Sequence, residues 1–429
     1  MPKLAIKGGT PIRTKLFPAY NTIGEEEKKA VMKVLDSGNL SQFLGTWDKD
    51  FFGGPAVKTF EKVWADTFKV KHAITVNSNT SGLIASIGAC GIQPGDEVIV
   101  SPYTMSAGAI APLIYGAVPV FADVDIDNYG LSPESIEKCI TPNTKAILSV
   151  HIFGNPSKMD QIGSIAKKYN LKIIEDCAQA PMASYKNKLV GTIGDIGVFS
   201  LNYHKHIHTG EGGVIVTNND EIAEKLFLIR NHGEAVVEDK GTKNIINTFG
   251  YNFRMTEIEA SIGIEQLKKL PHLIEERISN AEYFSSKLSS VKGIIAPYNE
   301  INSKNVYYVQ AFKYKKEIFG IHRNKFIDAV KAEIPSAVLR EKSPLIGAGY
   351  VKPLYLQPIY QQRISQCSFN CPRYTGNVSY EKGLCPNAEL LHYEELFTHE
   401  YMRPGMSTKD MDDVINAFYK VAENYKELL

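Results

Sequence analysis

Cysteine is scarce in this chain of 429 residues: six in all, too few for a disulfide framework. Excess charge is missing as well, with 48 basic side chains against 47 acids and a formal net charge of +1. That balance gives no support to a nucleic-acid footprint or a polybasic membrane patch, although a local basic pocket remains open. The opening residues, Met1-Pro-Lys-Leu-Ala-Ile-Lys-Gly-Gly9, hold no apolar run of signal-peptide length. One uncharged stretch, residues 98–122, has a bilayer-spanning length, but Pro102, Gly108, Pro112, Gly116 and Pro119 divide it. It reads as strand, helix and strand. What is present is ordinary: 44% hydrophobic and 22% charged residues, a globular composition that excludes wholesale disorder. At about 150 residues per domain, the length predicts two or three domains. The expectation is a cytoplasmic enzyme or binding protein with no nucleic-acid or membrane partner.

The first half repeats one beat. Helices are predicted over 25–37, ended by Gly38, and over 56–68, leading to a strand at 73–76. Strands at 98–100, 118–121, 146–150 and 171–174 alternate with helices at 107–115, 132–139 and 159–169. Pro112 falls inside one helix and Pro119 inside one strand, which predicts a kink and a locally unpaired ladder. Further strands are read at 197–201 and 213–216. Such alternation argues for an α/β fold with a mostly parallel sheet covered on both faces. From Met255 the pattern changes: a helix to Leu270 stopped by Pro271, a second helix to about 288, a strand at 306–314 and a helix at 325–333. A closing helix at 408–428 carries Met411, Val414, Ile415, Phe418 and Val421 on one face. The expected boundary lies near 280, giving a large α/β domain with its N-terminal arm (1–280) and a small α+β domain (281–429). Residues 361–382 read as a long polar loop.

Three segments at predicted strand ends carry chemistry, where open α/β sheets build their sites. Thr75-Val-Asn-Ser-Asn-Thr-Ser-Gly82 runs from a strand into small polar residues that open a helix. Its free N–H groups suit a phosphate, and an ordinary N-cap cluster explains the same residues. Ile173-Ile-Glu-Asp-Cys-Ala-Gln179 presents Asp176 at a strand end with Gln179 one helical turn on. Buried, that carboxylate needs a cationic or hydrogen-bonding partner, for which a protonated ring nitrogen is one candidate; at an edge it is simply solvated. In the third segment, Lys205 stands between His204 and His206 ahead of Thr209-Gly-Glu-Gly-Gly213. Burial beside cations would free its amine for a Schiff base, while a solvated loop lysine fits the same residues. The spacing of His204, His206 and His208 fits one strand face, but no carboxylate or cysteine completes a metal-ligand set. The glycine run lacks the spacing of a dinucleotide fingerprint.

Together these segments resemble the DegT-type (DegT/DnrJ) sugar aminotransferases, pyridoxal-phosphate enzymes of the aspartate-aminotransferase fold (fold type I). The resemblance extends over nearly the whole chain. It rests on Gln93-Pro-Gly-Asp-Glu-Val-Ile, Glu175-Asp-Cys-Ala-Gln, Gly194-Asp-Ile-Gly-Val-Phe-Ser, Lys205 with Thr209-Gly-Glu-Gly-Gly, and Gly250-Tyr-Asn-Phe-Arg-Met255. It implies a three-layer αβα domain around a seven-stranded-type sheet, with pyridoxal 5'-phosphate held on Lys205 as an internal aldimine. Asp176 would pair with the pyridinium nitrogen and keep it protonated, so that the ring serves as an electron sink. Gln179 resembles the contact to the ring hydroxyl. Ser200 and Thr80, with the Asn79 backbone, match the phosphate cradle. Asn252 matches an asparagine that reaches the neighbouring subunit's phosphate, which implies a homodimer with shared sites. Glutamate or glutamine is the implied amino donor and a keto-sugar, nucleotide-linked, the acceptor. A keto-cyclitol is the rival acceptor, and a pyridoxal-phosphate sugar dehydratase or lyase the rival reaction.

Departures matter too. Met105 stands where the family usually stacks an aromatic ring on the cofactor, and a polarisable thioether can pack there instead. Asn79 replaces a customary glycine, and asparagine tolerates left-handed backbone geometry. Relatives with histidine for the lysine are dehydratases, but counting back from Gly210-Glu-Gly-Gly puts Lys205 in register. Residues 42–52, with Phe43, Trp47, Phe51 and Phe52, form an aromatic insertion that either walls the substrate mouth or packs in the core or a dimer. Cys367, Cys371 and Cys385 lack a spaced fourth ligand for zinc and are read as unpaired thiols, and no metal is expected. His151 and His232 are given no catalytic role.

Overall fold

The computed structural model describes residues 3–336, 343–364 and 366–429, with the side chains of Gln366 and Cys367 outside that description. The third member of the cysteine set can therefore not be placed beside Cys371 and Cys385. Seven strands form the large sheet: β1 (His72–Val76), β2 (Glu97–Val100), β3 (Val118–Phe121), β4 (Thr144–Val150), β5 (Lys172–Asp176), β8 (Ile196–Ser200) and β9 (Gly213–Thr217). Between β5 and β8 a short hairpin, β6 (Ser184–Tyr185) and β7 (Lys188–Leu189), stands apart. The sheet order is β1-β9-β8-β5-β4-β2-β3, with β9 antiparallel to both neighbours and the other strands parallel. Buried side chains alternate between its faces. Ile174 points to a layer containing Leu83, Ala109 and Leu226, and Ile173 to one containing Trp64, Ile162 and Leu267. The sheet thus lies between two helical layers, as the alternating pattern requires.

Local chemistry sets the helix ends. In α1 (Glu25–Ser37), Glu27 reaches back to the Gly24 N–H at 2.7 Å, and Gly38 closes the helix at φ 70. The helix α2 (Pro55–Phe68) starts on proline, and α5 (Pro133–Cys139) starts on Pro133 behind a Ser132 cap. On the faces of the sheet lie α3 (Asn79–Ala89), α4 (Ala107–Ile114), α6 (Met159–Tyr169) and α7 (Asp220–Arg230), followed by the short α8 (Val237–Lys240). Pro112 and Pro119 sit inside α4 and β3 as read from the sequence, and β3 is an edge strand, where a missing donor is tolerated.

One expectation is corrected. Pro271 does not stop a helix: α9 runs unbroken from Glu257 to Leu288 with the proline inside it. An interior proline costs about 3 kcal/mol. Leu267, Leu270 and Ile274 are buried around it at about 1.5–3 kcal/mol each, so packing outweighs the lost bond. The expected boundary near 280 falls within this helix. The described residues of 361–382 are mostly loop, as read from the sequence, with a short helix at Gln366–Phe369. Tyr360 and Tyr380 pack their edges on Phe121 of β3, and the Tyr380 hydroxyl donates to the Pro119 carbonyl at 2.7 Å, so this segment covers the sheet edge. Its aromatic anchors follow no helical or strand period.

After α9 a second, antiparallel sheet takes the order β10-β11-β13-β12, from β10 (Ile294–Ile295), β11 (Gln310–Tyr314), β12 (Ile346–Ala348) and β13 (Leu396–His399). The closing helix Thr408–Glu423 buries Met411, Val414, Ile415, Phe418 and Val421, the face read from the sequence. Among the described residues no helix is long and apolar enough to cross a membrane.

His399 of β13 is fully buried, stacked among Phe284, Phe312 and Tyr401, and burial holds its pKa near about 3 against 6.5. Below pH 6.5 the unfolded chain takes up this proton and the folded chain does not, so stability falls with pH until about 3. The slope from this one group approaches about 1.4 kcal/mol per pH unit. His399→Phe keeps the ring and removes the proton. Its melting temperature is expected to fall less steeply on the acid side of pH 6.5 than that of the wild type, as measured by calorimetry.

Candidate active site

The ends of β1, β5 and β8 converge. The register pairs Ser200 with Gly213, and Gly213 with Val76 at the end of β1. A Cβ added at Gly213 would lie 2.7 Å from the Ser78 carbonyl carbon and 2.8 Å from the Asn79 nitrogen, so only glycine lets β9 approach the start of α3 this closely. At that start, Ser78 caps Ser81 through its hydroxyl and Gly82 through its carbonyl. The N–H groups of Asn79 and Thr80 meet no acceptor among the described residues, and Thr80 is exposed. Two such N–H groups at a helix start could hold a phosphate, and the register sets Ser200 opposite Gly213, whose backbone presses on that start.

Asp176 ends β5 and is 6% exposed. Its Oδ1 accepts from the Ala178 N–H at 3.0 Å and from the Asn79 side-chain amide at 3.3 Å. No hydrogen bond reaches Oδ2 among the described residues, which leaves that oxygen for a ring N–H. Burial pushes the Asp176 carboxyl above its ordinary range, opposed by the Ala178 N–H, the Lys205 charge and the Asn79 amide. Asn79 is the first residue of α3 with helical backbone, so tolerance of left-handed geometry plays no part there. What asparagine contributes is its side-chain amide.

Lys205 lies in the turn after β8, its N–H bonded to the Asn202 carbonyl at 2.9 Å. Its ammonium stands 4.4 Å from the centre of the Tyr308 ring. Burial lowers its pKa from 10.5 to about 8, with Asp176 pulling the other way. The lysine is thus buried, and not a solvated loop residue. The neighbouring histidines share no strand face; residues 203–208 are turns and bends. Buried His206 faces the Val306 carbonyl with Nε2 at 2.9 Å, and its own carbonyl accepts from the Tyr20 hydroxyl at 2.6 Å. Both bonds pin the residue after Lys205.

Gln179 accepts the Phe153 N–H on Oε1 at 2.7 Å and donates from Nε2 to the Tyr350 hydroxyl at 3.0 Å. Behind it, His151 bonds Glu175 at 2.9 Å, and Glu175 also accepts from Gly191, Ile193 and Gly194. Ligand atoms of His151, Glu175 and Cys177 lie within 4.8 Å of one another. The carboxylate and the imidazole are already occupied, Nδ1 by the Ser157 N–H, so the group acts as a brace for the end of β5.

Two expected residues stand further out. Met105 is 58% exposed on the loop after β2, and Asn252 is exposed with its Oδ1 held by Arg254. The aromatic insertion packs inward in part: Arg230 lies over the Phe43 ring, and Asn231 donates to the Leu44 and Phe51 carbonyls. A groove of about 750 Å3 between α1, α2 and α9 is lined by none of the residues above. Sequence reasoning missed Tyr308, Tyr350 and Phe153. None belongs to a strand-end motif, and Phe153 is marked only by a left-handed φ of 61 that a sequence does not reveal.

A buried lysine, a carboxylate with one free oxygen and a phosphate cradle on this sheet define a pyridoxal 5'-phosphate enzyme of the aspartate-aminotransferase fold. The chain belongs to the DegT/DnrJ/EryC1/StrS aminotransferase family, matching it over residues 21–419. It is 32% identical over 402 residues to the spore coat polysaccharide biosynthesis protein SpsC of Bacillus subtilis, covering 92% of this chain and 94% of that one. It is 29% identical over 436 residues to the L-glutamine:2-deoxy-scyllo-inosose aminotransferase of Micromonospora echinospora, covering 100% of both. Among solved structures, DesI in the presence of its TDP-sugar product superposes with a TM-score of 0.80 at 25% identity, covering 99% of this chain and 97% of that one.

In the cofactor-free protein, pH-dependent modification of Lys205 by a small amine reagent, read by mass spectrometry, is expected to have its midpoint near about 8. Because the Asp176 charge raises that value, Asp176→Asn should move the midpoint to lower pH.

Proposed function

We propose that this protein transfers an amino group from glutamate or glutamine to a keto-sugar, nucleotide-linked, in the synthesis of a polysaccharide or secondary metabolite. The single observation that carries the reading is Lys205: buried, with an amine near about 8, and facing the buried carboxylate of Asp176. The names of the relatives support the acceptor class, since one acts in polysaccharide biosynthesis and another is seen with a TDP-sugar product. The cyclitol-acting relative, matched over its whole length, keeps a keto-cyclitol as the second acceptor to test.

Bound pyridoxal phosphate supplies an electron sink that stabilises negative charge at the carbon losing its proton. The chain does the rest. Asp176 Oδ2 would hold the ring nitrogen's proton, while Asn79 and Ala178 hold Oδ1 and so fix the carboxylate's orientation. The Thr80 and Asn79 N–H groups and the Ser200 hydroxyl would hold the phosphate. Gln179 would donate to the ring hydroxyl, and Met105 would pack against the cofactor. Lys205 Nζ would hold the cofactor, and as the buried amine of the site it would take and return the proton that amino transfer moves. An amine near about 8 is well matched to that work at neutral pH.

A homodimer completes the site in this reading. Ile245, Ile246 and Phe249 are all more than half exposed a few residues before Asn252, a patch suited to a second copy that would bring Asn252 to the neighbouring phosphate. The two domains would meet within α9, near residue 280, and the cytoplasm is the expected compartment.

Lys205→Ala is expected to retain reversible cofactor binding, to lose the cofactor's lysine-linked absorbance and to lower kcat by roughly 10^3-fold or more. Turnover of a keto-sugar and keto-cyclitol panel, with product mass, identifies the acceptor; no turnover with either class, or none with glutamate and glutamine, overturns the assignment. Mixing Lys205→Ala with Asn252→Ala subunits is expected to restore roughly a quarter of wild-type activity, since each hybrid dimer regains one intact site. No recovery after verified subunit exchange would place Asn252 outside the shared site.

A further inference from the structure

Gln179 cannot choose its orientation. Phe153, at φ 61, aims its N–H at Oε1, so the amide's two N–H bonds must face the other way. One goes to the Tyr350 hydroxyl. The Tyr350 oxygen is therefore an acceptor in this bond, and its own proton remains to be given elsewhere. Among the described residues no acceptor takes it. The ring itself is fixed: its edge meets Phe153 at 5.0 Å and 85° and Tyr103 at 6.3 Å and 85°. Its backbone N–H donates to the Tyr103 hydroxyl at 2.9 Å. A mostly buried phenol with a locked ring and an unplaced proton is an arrangement that a ligand completes.

Resting on the reading of Lys205 as the cofactor lysine, we propose that Tyr350 is a cofactor-contacting residue, which donates its phenolic proton beside the Gln179 amide to the ionised ring oxygen next to the Lys205–cofactor imine. Two donors on that oxygen stabilise its negative charge most when the imine carries no proton to share with it. They therefore favour the unprotonated imine. The residue comes from the segment after β12, so the second sheet supplies a group to a site whose floor lies entirely in the first.

The charged and titratable groups around this point include Asp176 at the end of β5, Tyr103 after β2, Tyr308 before β11, His206 beside the lysine and Arg277 of α9, with His392, Arg323 and Arg403 behind the tyrosines. Burial keeps Tyr103, Tyr308 and Tyr350 protonated, and holds His206 neutral. Removing the Tyr350 hydroxyl takes away a minor contribution that raises Tyr103 and Tyr308, while burial, the largest influence on both, stays in place.

The test is a pH titration of the lysine-linked absorbance in full-length, cofactor-loaded wild type and Tyr350→Phe. The phenylalanine keeps the ring against Phe153 and Tyr103. Its midpoint is expected to rise by about one pH unit or more, the size of one hydrogen bond to a charged acceptor. Tyr350→His, which restores a donor, should bring the midpoint part of the way back, and it serves as the comparison should the phenylalanine variant fail to fold. A bound cofactor with an unmoved midpoint in these variants overturns the role of Tyr350 alone. A wild-type protein with no such band, or a band that persists in Lys205→Ala, overturns the reading of Lys205 and this inference with it.

Discussion

A carboxylate placed where burial opposes its charge is the constraint on which the site depends. Asp176 has almost no water around it, and burial raises its carboxyl above the ordinary range. The opposing contributions come from four separate pieces of chain: the turn after β5, the loop after β8, the start of α3 and His151 after β4. They meet only because β9 is inserted between β1 and β8, which sets the end of β1 one strand away from Ser200. The sheet order is thus an electrostatic requirement as much as a packing solution. The same field acts on Lys205, where burial and the Asp176 charge pull in opposite directions and leave an amine that titrates near neutrality.

The fold's second half serves that pair from above. Tyr308 stands over the lysine, and Arg277 of α9 donates to the carbonyls of Tyr307 and Tyr308, holding the turn that presents the ring. Gly154 at φ 90 lets this turn press against Gln179: an added Cβ would lie 2.7 Å from the Tyr307 nitrogen and 3.1 Å from the Gln179 carbonyl. Phe153 and Tyr307 both take left-handed backbone beside it. Such conformations cost of order 1–3 kcal/mol each and persist only where the surroundings over-determine them. Here the surroundings are the reacting groups.

Much of this was legible in the sequence, for a physical reason. Where β strands end at a helix start or a polar turn, composition and function coincide, so Thr80, Asp176, Gln179, Ser200 and Lys205 could be named from short motifs. The α/β alternation was equally plain, because short apolar strands and amphipathic helices have different periods. Pro271 misled because local propensity is weaker than the burial of Leu267, Leu270 and Ile274 around it. Residues 361–382 carry no period, and the seat of Tyr380 on Phe121 is set by the fold alone. Tyr308 and Tyr350 lie far along the chain from Lys205, and only tertiary structure brings them close. The role of Asn79 was misread for a simpler reason: the sequence reading weighed its backbone, and its side chain is what reaches Asp176.

The split between floor and roof has a consequence for descent. The groups under the cofactor site are encoded between Val76 and Gly213, and they are held in place by one sheet register. The tyrosines above it are encoded after residue 306, on segments anchored by their own bonds to Arg277 and Tyr103. Changes in the later stretch can reshape what the site admits, while the first sheet keeps Asp176 and Lys205 in place. A lineage built this way keeps its anchors on one length of chain and can retune what surrounds them on another.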